Sequence, residues 1–196
     1  RVMLEVMRGC MRGCRFCQAG YVYRPLRERK PETLLGLADN LLSCSGYDEI
    51  SLSSLSTSDF GGLPGLTDGL LKMTEEKKIG LSLPSLRIVN FSLELMEKVQ
   101  KVRKSGITFA PEAGTQRLRD VINKNITEEN ILSSTKLLFN GGWTNVKLYF
   151  MIGLPTETDA DVCGISELAG KVLDVYFQTP KEERAKNINI TVSTSS

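Results

Sequence analysis

The stretch that most restricts what this chain can be is residues 9–20, Gly-Cys-Met-Arg-Gly-Cys-Arg-Phe-Cys-Gln-Ala-Gly, where Cys10, Cys14 and Cys17 fall within eight residues directly after an apolar segment. Three thiols on one tight loop suit a metal site or a disulfide nest. Disulfides ask for an oxidising compartment and usually an even number of cysteines. This chain has five, and no basic-then-apolar leader precedes its first strand, so the expectation is a cytoplasmic protein with reduced thiols. Zinc asks for a fourth ligand to close a tetrahedron, yet the chain has no histidine, and Cys44 and Cys163 stand far off without a partner spacing. An iron–sulfur cluster suits the donor set better. Clusters are held by thiolates, and a cubane gripped by three cysteines leaves one iron for a ligand that is not protein.

The remaining composition bounds the partners. At 196 residues and 41% hydrophobic, the chain has enough apolar material for one substantial core, and a single domain over 1–196 is expected. With 25 basic and 23 acidic side chains and a net charge of +2, no global field recruits nucleic acid or an anionic membrane. No apolar run approaches the ~18 residues of a spanning helix. The chain opens on Arg1 directly into a strand, which reads as a piece cut from a longer, multidomain protein.

Periodicity predicts strands at 2–7, 50–55, 80–83, 107–110, 146–152 and 188–192. Helices are predicted between them. The first, 33–44, places Leu34, Leu37, Ala38, Leu41 and Leu42 on one face and stops at Gly46. A Ser/Gly/Pro-rich loop over 56–65 leads into a helix at 66–77. The next, 92–104, turns Leu95, Met96, Val99 and Val102 inward; another, 128–140, starts through Thr127 and closes at Gly141 and Gly142; the last runs over 158–177. Six alternations argue a parallel sheet built from right-handed crossovers. Periodicity alone leaves open whether the sheet is doubly wound or a partial barrel.

Cys-x3-Cys-x2-Cys with Phe16 just before the last cysteine resembles the signature of the radical S-adenosylmethionine (SAM) superfamily. The resemblance implies an α/β fold, a partial (β/α)6 TIM-like barrel of parallel strands with outer helices and the cluster loop after its first strand. It implies a [4Fe-4S] cluster on Cys10, Cys14 and Cys17 whose open iron chelates SAM. Reductive cleavage then gives a 5'-deoxyadenosyl radical for hydrogen abstraction. It further implies an electron donor such as flavodoxin or ferredoxin and a substrate, whether RNA, protein or small molecule, that no residue here announces. The run from Cys10 to Gly20 followed by Tyr-Arg-Pro-x-Arg-Glu-Arg is similar to an uncharacterised group in which this core is fused to a cobalamin-binding-like domain. Cobalamin would then come through that other domain of the parent chain.

Ligands in parallel α/β folds sit at the carboxyl ends of strands. After the second strand, Ser53 to Asp59 occupies the place where the family usually has a Gly-Gly-Glu-like stretch whose backbone receives the amino group of SAM; Ser54 and Ser56 are the candidates, with serines in place of glycines. After the fourth, Glu112 can accept two hydrogen bonds from ribose hydroxyls, and Lys124, one helix later, corresponds to the family's basic residue for the methionyl carboxylate. Arg117 and Arg119, nearer along the chain, are alternatives to Lys124 or else form a solvated helix face. The fifth strand ends in Ile152-Gly153-Leu154-Pro155, which resembles the adenine-binding turn: Gly153 lets the backbone approach the purine and Ile152 packs on its face. Arg27 or Arg29, in the basic stretch 24–32, offsets the cluster or reaches the cofactor, or else solvates the start of a helix. Arg12 and Arg15 tune the cluster's potential by charge, and Glu5 faces the barrel lumen or forms a buried pair with one of these arginines. The alternative function is a non-catalytic iron–sulfur or zinc-binding scaffold or electron-transfer module.

Overall fold

In the computed structural model, which describes residues 1–82, 107–181, 184 and 187–196, strand and helix alternate as the periodicity predicts. The expected helix 92–104 and Leu83 lie outside the described residues. The backbone gathers into two compact units, one made of Arg1–Arg12 and Cys17–Lys104, the other of Gly13–Phe16 and Ser105–Ser196. Among the described residues no helix is long and apolar enough to cross a membrane.

The first unit contains β1 (Val2–Glu5), β2 (Met7–Arg8), α1 (Ala19–Val22), β3 (Arg27–Glu28), α2 (Pro31–Ser45), β4 (Glu49–Ser53), α3 (Leu63–Lys77) and β5 (Gly80–Ser82). Its main sheet is parallel in the order β1-β4-β5, with Val2 opposite Ile50 and Ile50 opposite Leu81. Leu4, Ile50 and Leu52 bury against Leu34, Ala38, Leu66 and Leu70 of the helices. Pro31 starts α2, where its missing N–H costs nothing, and Gly46 ends it in the left-handed conformation (φ 68°) that glycine adopts freely. The predicted apolar face narrows to the i, i+4 row Leu34, Ala38 and Leu42; Leu37 and Leu41 lie at its rim, 39% and 42% exposed. Helix α3 begins at Leu63, earlier than expected, because Pro64 is tolerated in a first turn. The strand expected over 2–7 breaks into β1 and β2, and β2 pairs antiparallel with β3, a two-residue ladder too short for any periodicity to announce.

The second unit contains β6 (Ile107–Glu112), α4 (Gln116–Val121), α5 (Glu128–Asn140), β7 (Asn145–Met151), α6 (Asp159–Gln178) and β8 (Asn189–Ser195), with a parallel sheet in the order β6-β7-β8. Alternation in β7 buries Val146, Leu148 and Phe150 on one face. Thr127 caps α5 in a reciprocal box with Asn130, within the predicted bounds. Behind the tip of β6 the chain touches α6 backbone to backbone: a Cβ on Gly114 would stand 2.3 Å from the Ile165 nitrogen and 2.4 Å from the Gly164 carbonyl carbon. Only glycine fits there.

Asp161 fastens this approach. Its buried carboxylate accepts from the Thr158 N–H (2.9 Å) and hydroxyl (2.7 Å), from the Thr115 hydroxyl and from the Arg117 guanidinium. The Arg117 bond first, then Thr115, holds the carboxyl well below the usual carboxylate range. A depressed folded pKa stabilises the protein above the unfolded value of about 3.9, and the contribution fades as pH falls from there toward the folded value. Asp161→Asn is therefore expected to lower stability at pH 7 by about 1–2 kcal/mol through loss of the cap and its charged bonds. In thermal unfolding followed by circular dichroism, the gap between variant and wild type should close as the pH is lowered below about 4.

Candidate functional site

The cysteine loop leaves β2 through Gly9, whose φ of 97° lies in the left-handed region and where a Cβ would meet the Tyr23 carbonyl at 2.6 Å. The glycine permits the Cys10 N–H to donate to that same carbonyl at 3.2 Å. Arg12, further along the loop, forms a two-pronged ion pair with Asp59: Nε to Oδ2 at 3.0 Å and Nη2 to Oδ1 at 2.5 Å. Asp59 follows β4, and its carboxylate also accepts the Ser56 hydroxyl at 2.8 Å. Ser54 hydrogen-bonds with Thr57 at 2.9 Å, and the Ser56 carbonyl accepts the Asp59 N–H at 3.0 Å. Ser56 thus belongs to a polar network that a planar guanidinium ties to the cysteine loop, while Ser54 pairs with Thr57 in the same turn. The motif reading singled out Arg12 for its charge; its acidic partner, 47 residues away, carries no local signal. Glu5 pairs with Arg8 (2.7 Å) and with Arg29 (3.8 Å), the second of these being an arginine of the basic stretch. Both pairs are solvent-exposed.

In the second unit the peptide on each side of Cys14 is anchored. The Gly13 carbonyl accepts from Asn123 Nδ2 at 2.8 Å, the Arg15 N–H donates to the Ile122 carbonyl at 2.9 Å, and the Arg15 guanidinium donates to the Val121 carbonyl. Beside these anchors Lys124 reaches Glu112, Nζ to Oε1 at 3.0 Å, with side chains only 13% and 17% exposed. The same ammonium stands 5.7 Å from the centroid of the Phe16 ring, within cation–π range. Phe16, Lys124 and Glu112, all assigned by the resemblance, therefore form one contiguous group, and Cys14 is two residues from Phe16. Glu112 adopts φ 70°, just past an irregularity in the β6–β7 ladder. A non-glycine residue there is strained by roughly 1–3 kcal/mol. Ala113, Leu118, Ile122 and Leu154 make a small apolar cluster beside this group.

Arg119 is not on a solvated face. It is fully buried and donates to the carbonyls of Ala113 (2.9 Å), Gly114 (3.0 Å) and Ile126 (3.2 Å) and to Gln116 Oε1 (3.1 Å). Burial pushes its guanidinium below its ordinary value, offset by Glu128 and Asp120. Helix α4 is too short to present a free side, since the chain folds back under it from Asn123 to Ile126. Arg117 is half exposed, bound to Asp161 and to the Thr156 carbonyl (2.8 Å). The five-donor fork of arginine suits such carbonyl collection, but only the Thr115 cap, which accepts the Leu118 N–H, hinted that a helix began here.

At the tip of β7, Gly153 has φ 89°, its N–H donates to Glu157 Oε2 at 2.6 Å, and a Cβ at this position would meet nothing within 4 Å. Ile152 is 39% exposed, held by its N–H on the Ser195 carbonyl at 2.8 Å, while Leu154 turns inward. The turn therefore offers an apolar side chain and open backbone to a flat ligand. A cavity of about 170 Å³ at the opposite ends of these strands, lined by Thr108, Lys147 and Thr191 among others, lies away from the tips.

All five cysteines are free thiols, with Cys10, Cys14 and Cys17 half-buried. Among the described residues no three Cys, Asp, Glu or His side chains are gathered closely enough to hold a metal ion. The fit to a cluster therefore rests on the donor chemistry, three reduced sulfurs on a loop pinned at Cys10 and on both sides of Cys14.

The chain is similar to an uncharacterised protein of Methanocaldococcus jannaschii, 36% identical over 170 residues that cover 87% of this chain and 37% of that protein. It is also similar to the tRNA-2-methylthio-N(6)-dimethylallyladenosine synthase of Clostridium novyi, 27% identical over 82% of this chain and 37% of that one. The chain thus spans about 37% of the length of these relatives. Among solved structures, the radical S-adenosylmethionine methyltransferase TsrM of Kitasatospora setae, with cobalamin and a [4Fe-4S] cluster bound, superposes with a TM-score of 0.69 at 12% identity, covering 97% of this chain and 36% of that one. That likeness concerns the fold, and it agrees with the partial-barrel class: parallel strands, with no closed barrel among the described residues. The Radical SAM superfamily profile matches residues 4–169, the stretch that holds the cysteine triplet, Glu112, Lys124 and the Ile152-Gly153 turn. This chain belongs to the radical SAM superfamily.

Proposed function

We propose that this chain is the cofactor-binding core of a radical SAM enzyme, a single domain taken from a longer cytoplasmic protein. The observation that carries the reading is the family match from residue 4 to 169, which takes in every residue that the resemblance assigns to the cofactor site. In this reading Cys10, Cys14 and Cys17 hold a [4Fe-4S] cluster. When bound, the cluster and SAM together supply the one-electron cleavage that yields a 5'-deoxyadenosyl radical. The chain's own residues bind and orient. Arg12 and Asp59 fix the cysteine loop to the turn after β4, where Ser54 and Ser56 present backbone to the amino group of SAM. Glu112 accepts from the ribose hydroxyls, Lys124 pairs with the methionyl carboxylate, and Phe16 flanks that ammonium. Ile152 packs on the purine, and Gly153 lets the backbone approach it.

The Glu112–Lys124 pair gives each charge a counterion before ligand arrives. A ligand carrying both hydroxyls and a carboxylate can exchange with that pair without leaving either charge alone, whereas a neutral nucleoside cannot. Transfer of a methyl or methylthio group, with cobalamin held by another domain of the parent protein, extends this reading from the relatives and neighbours. The substrate, whether RNA, protein or small molecule, is met by those other parts.

Anaerobic reconstitution with iron and sulfide, followed by SAM and dithionite, is expected to yield 5'-deoxyadenosine. A coloured protein that leaves SAM intact would mean an electron-transfer module, and a colourless zinc protein would overturn the cluster itself. Cys14→Ala should lose the visible cluster absorbance and most of its iron; full retention contradicts the ligand assignment. Glu112→Gln and Lys124→Met should each weaken SAM binding about tenfold or more, roughly 1.4 kcal/mol, in calorimetric titration while leaving cluster absorbance intact.

A further inference from the structure

Helix α1 and the residue after it, directly past Cys17, have no part in the cofactor site proposed above. Helix α1 carries Tyr21 and Val22, and Tyr23 follows it; these three are 68%, 64% and 51% exposed. Adjacent side chains of this size left in water mark an interaction site more often than chance. Arginines follow closely in the chain, Arg24 at once and then Arg27 and Arg29. In the β2–β3 ladder Arg8 sits opposite Arg27, a like-charged register that is unfavourable unless something acidic approaches. Glu5 engages Arg8 and Arg29, and Glu28 turns away to accept the Gly61 N–H at 3.1 Å. Among the described residues Arg24 and Arg27 have no carboxylate in ion-pair range.

The patch also lies against the cysteine loop. The Tyr23 carbonyl receives the Cys10 N–H at 3.2 Å, the Pro25 carbonyl stands 3.0 Å from where a Cβ on Gly9 would lie, and Arg24 Nη2 reaches the Met11 carbonyl at 3.5 Å. A partner seated on Tyr21, Val22 and Arg24 is therefore one layer of backbone from Cys10 and a single short helix from Cys17.

We propose that this aromatic, arginine-rimmed patch docks the protein that delivers the electron, a small acidic carrier of low potential bearing flavin or an iron–sulfur centre. The inference rests on the radical SAM reading above, which needs one electron per cleavage: the carrier is oxidised by one electron and the cluster reduced by one, with no bond made in that step. Position selects the occupant, because electron transfer fails steeply with distance and the patch adjoins the ligand loop. Sign selects it too, since unpaired arginines around an apolar centre complement an acidic surface and steer its approach.

The test pairs two reductants on the reconstituted chain. Tyr21→Glu and Arg24→Glu, together, should slow cluster reduction by reduced flavodoxin about tenfold or more, read as bleaching in stopped flow, while reduction by dithionite stays at the wild-type rate. NMR titration of labelled oxidised flavodoxin should show the matching loss of binding, and wild-type binding should weaken as salt rises. Unchanged flavodoxin binding and reduction in the double variant would overturn the proposal. So would an RNA oligonucleotide, but not flavodoxin, losing affinity, which would make the patch a nucleic-acid surface. Failure of dithionite to cleave SAM in the wild type would instead sink the functional reading itself, so the two failures are distinguishable.

Discussion

A guanidinium sealed beneath a six-residue helix holds the chemistry-bearing end of the second unit together. Arg119 collects the carbonyls of Ala113, Gly114 and Ile126, and so closes the segment that begins at Glu112 and passes through Lys124. Without those bonds the buried carbonyls of Ala113 and Gly114 would lose their Arg119 donor, each at a cost of about 1–3 kcal/mol, and that of Ile126 would keep only the Gln116 amide at 3.4 Å. The Gly114–Gly164 approach and the Asp161 cap then fix this closed segment to α6. The placement of the Glu112–Lys124 pair is thus inherited from the packing around it.

The cysteine loop is built by a different device. Its residues are divided between the two units, Cys10 and Cys17 with the first and Cys14 with the second. Each part is anchored by backbone hydrogen bonds within its own unit: Cys10 to Tyr23, and the neighbours of Cys14 to Asn123 and Ile122. Loops ordinarily carry function on a rigid support. Here the support is a set of named carbonyls and amides, and the thiols themselves are left free of protein partners that would compete for a metal.

Much of this was legible in the residues. Thr127 announced α5, Gly46 announced the end of α2, and the cysteine spacing with Phe16 led to the superfamily. Gly153 signalled the tip of β7, because it takes a backbone conformation that other residues resist, whereas the same need at Gly9 shows only in the fold. Long-range partnership was not legible. Arg12 and Asp59, Asp161 and Thr115, and Glu112 and Lys124 meet only through the fold, and sequence offers each residue many possible partners. Arg119 read as a solvated side chain because α4 is too short to show a periodic face; a rule based on helical period has no purchase on six residues.

Glu112 sits where the backbone would prefer glycine. Glycine at that position would relieve about 1 kcal/mol or more of backbone cost, but it would also take from the largely buried Lys124 ammonium the carboxylate it meets at 3.0 Å, and losing one member of such a pair costs more than the strain relieved. A heat-resistant version of this protein is therefore expected to keep the strained glutamate, because the ion pair it makes is what renders the unfavourable backbone at the strand tip tolerable.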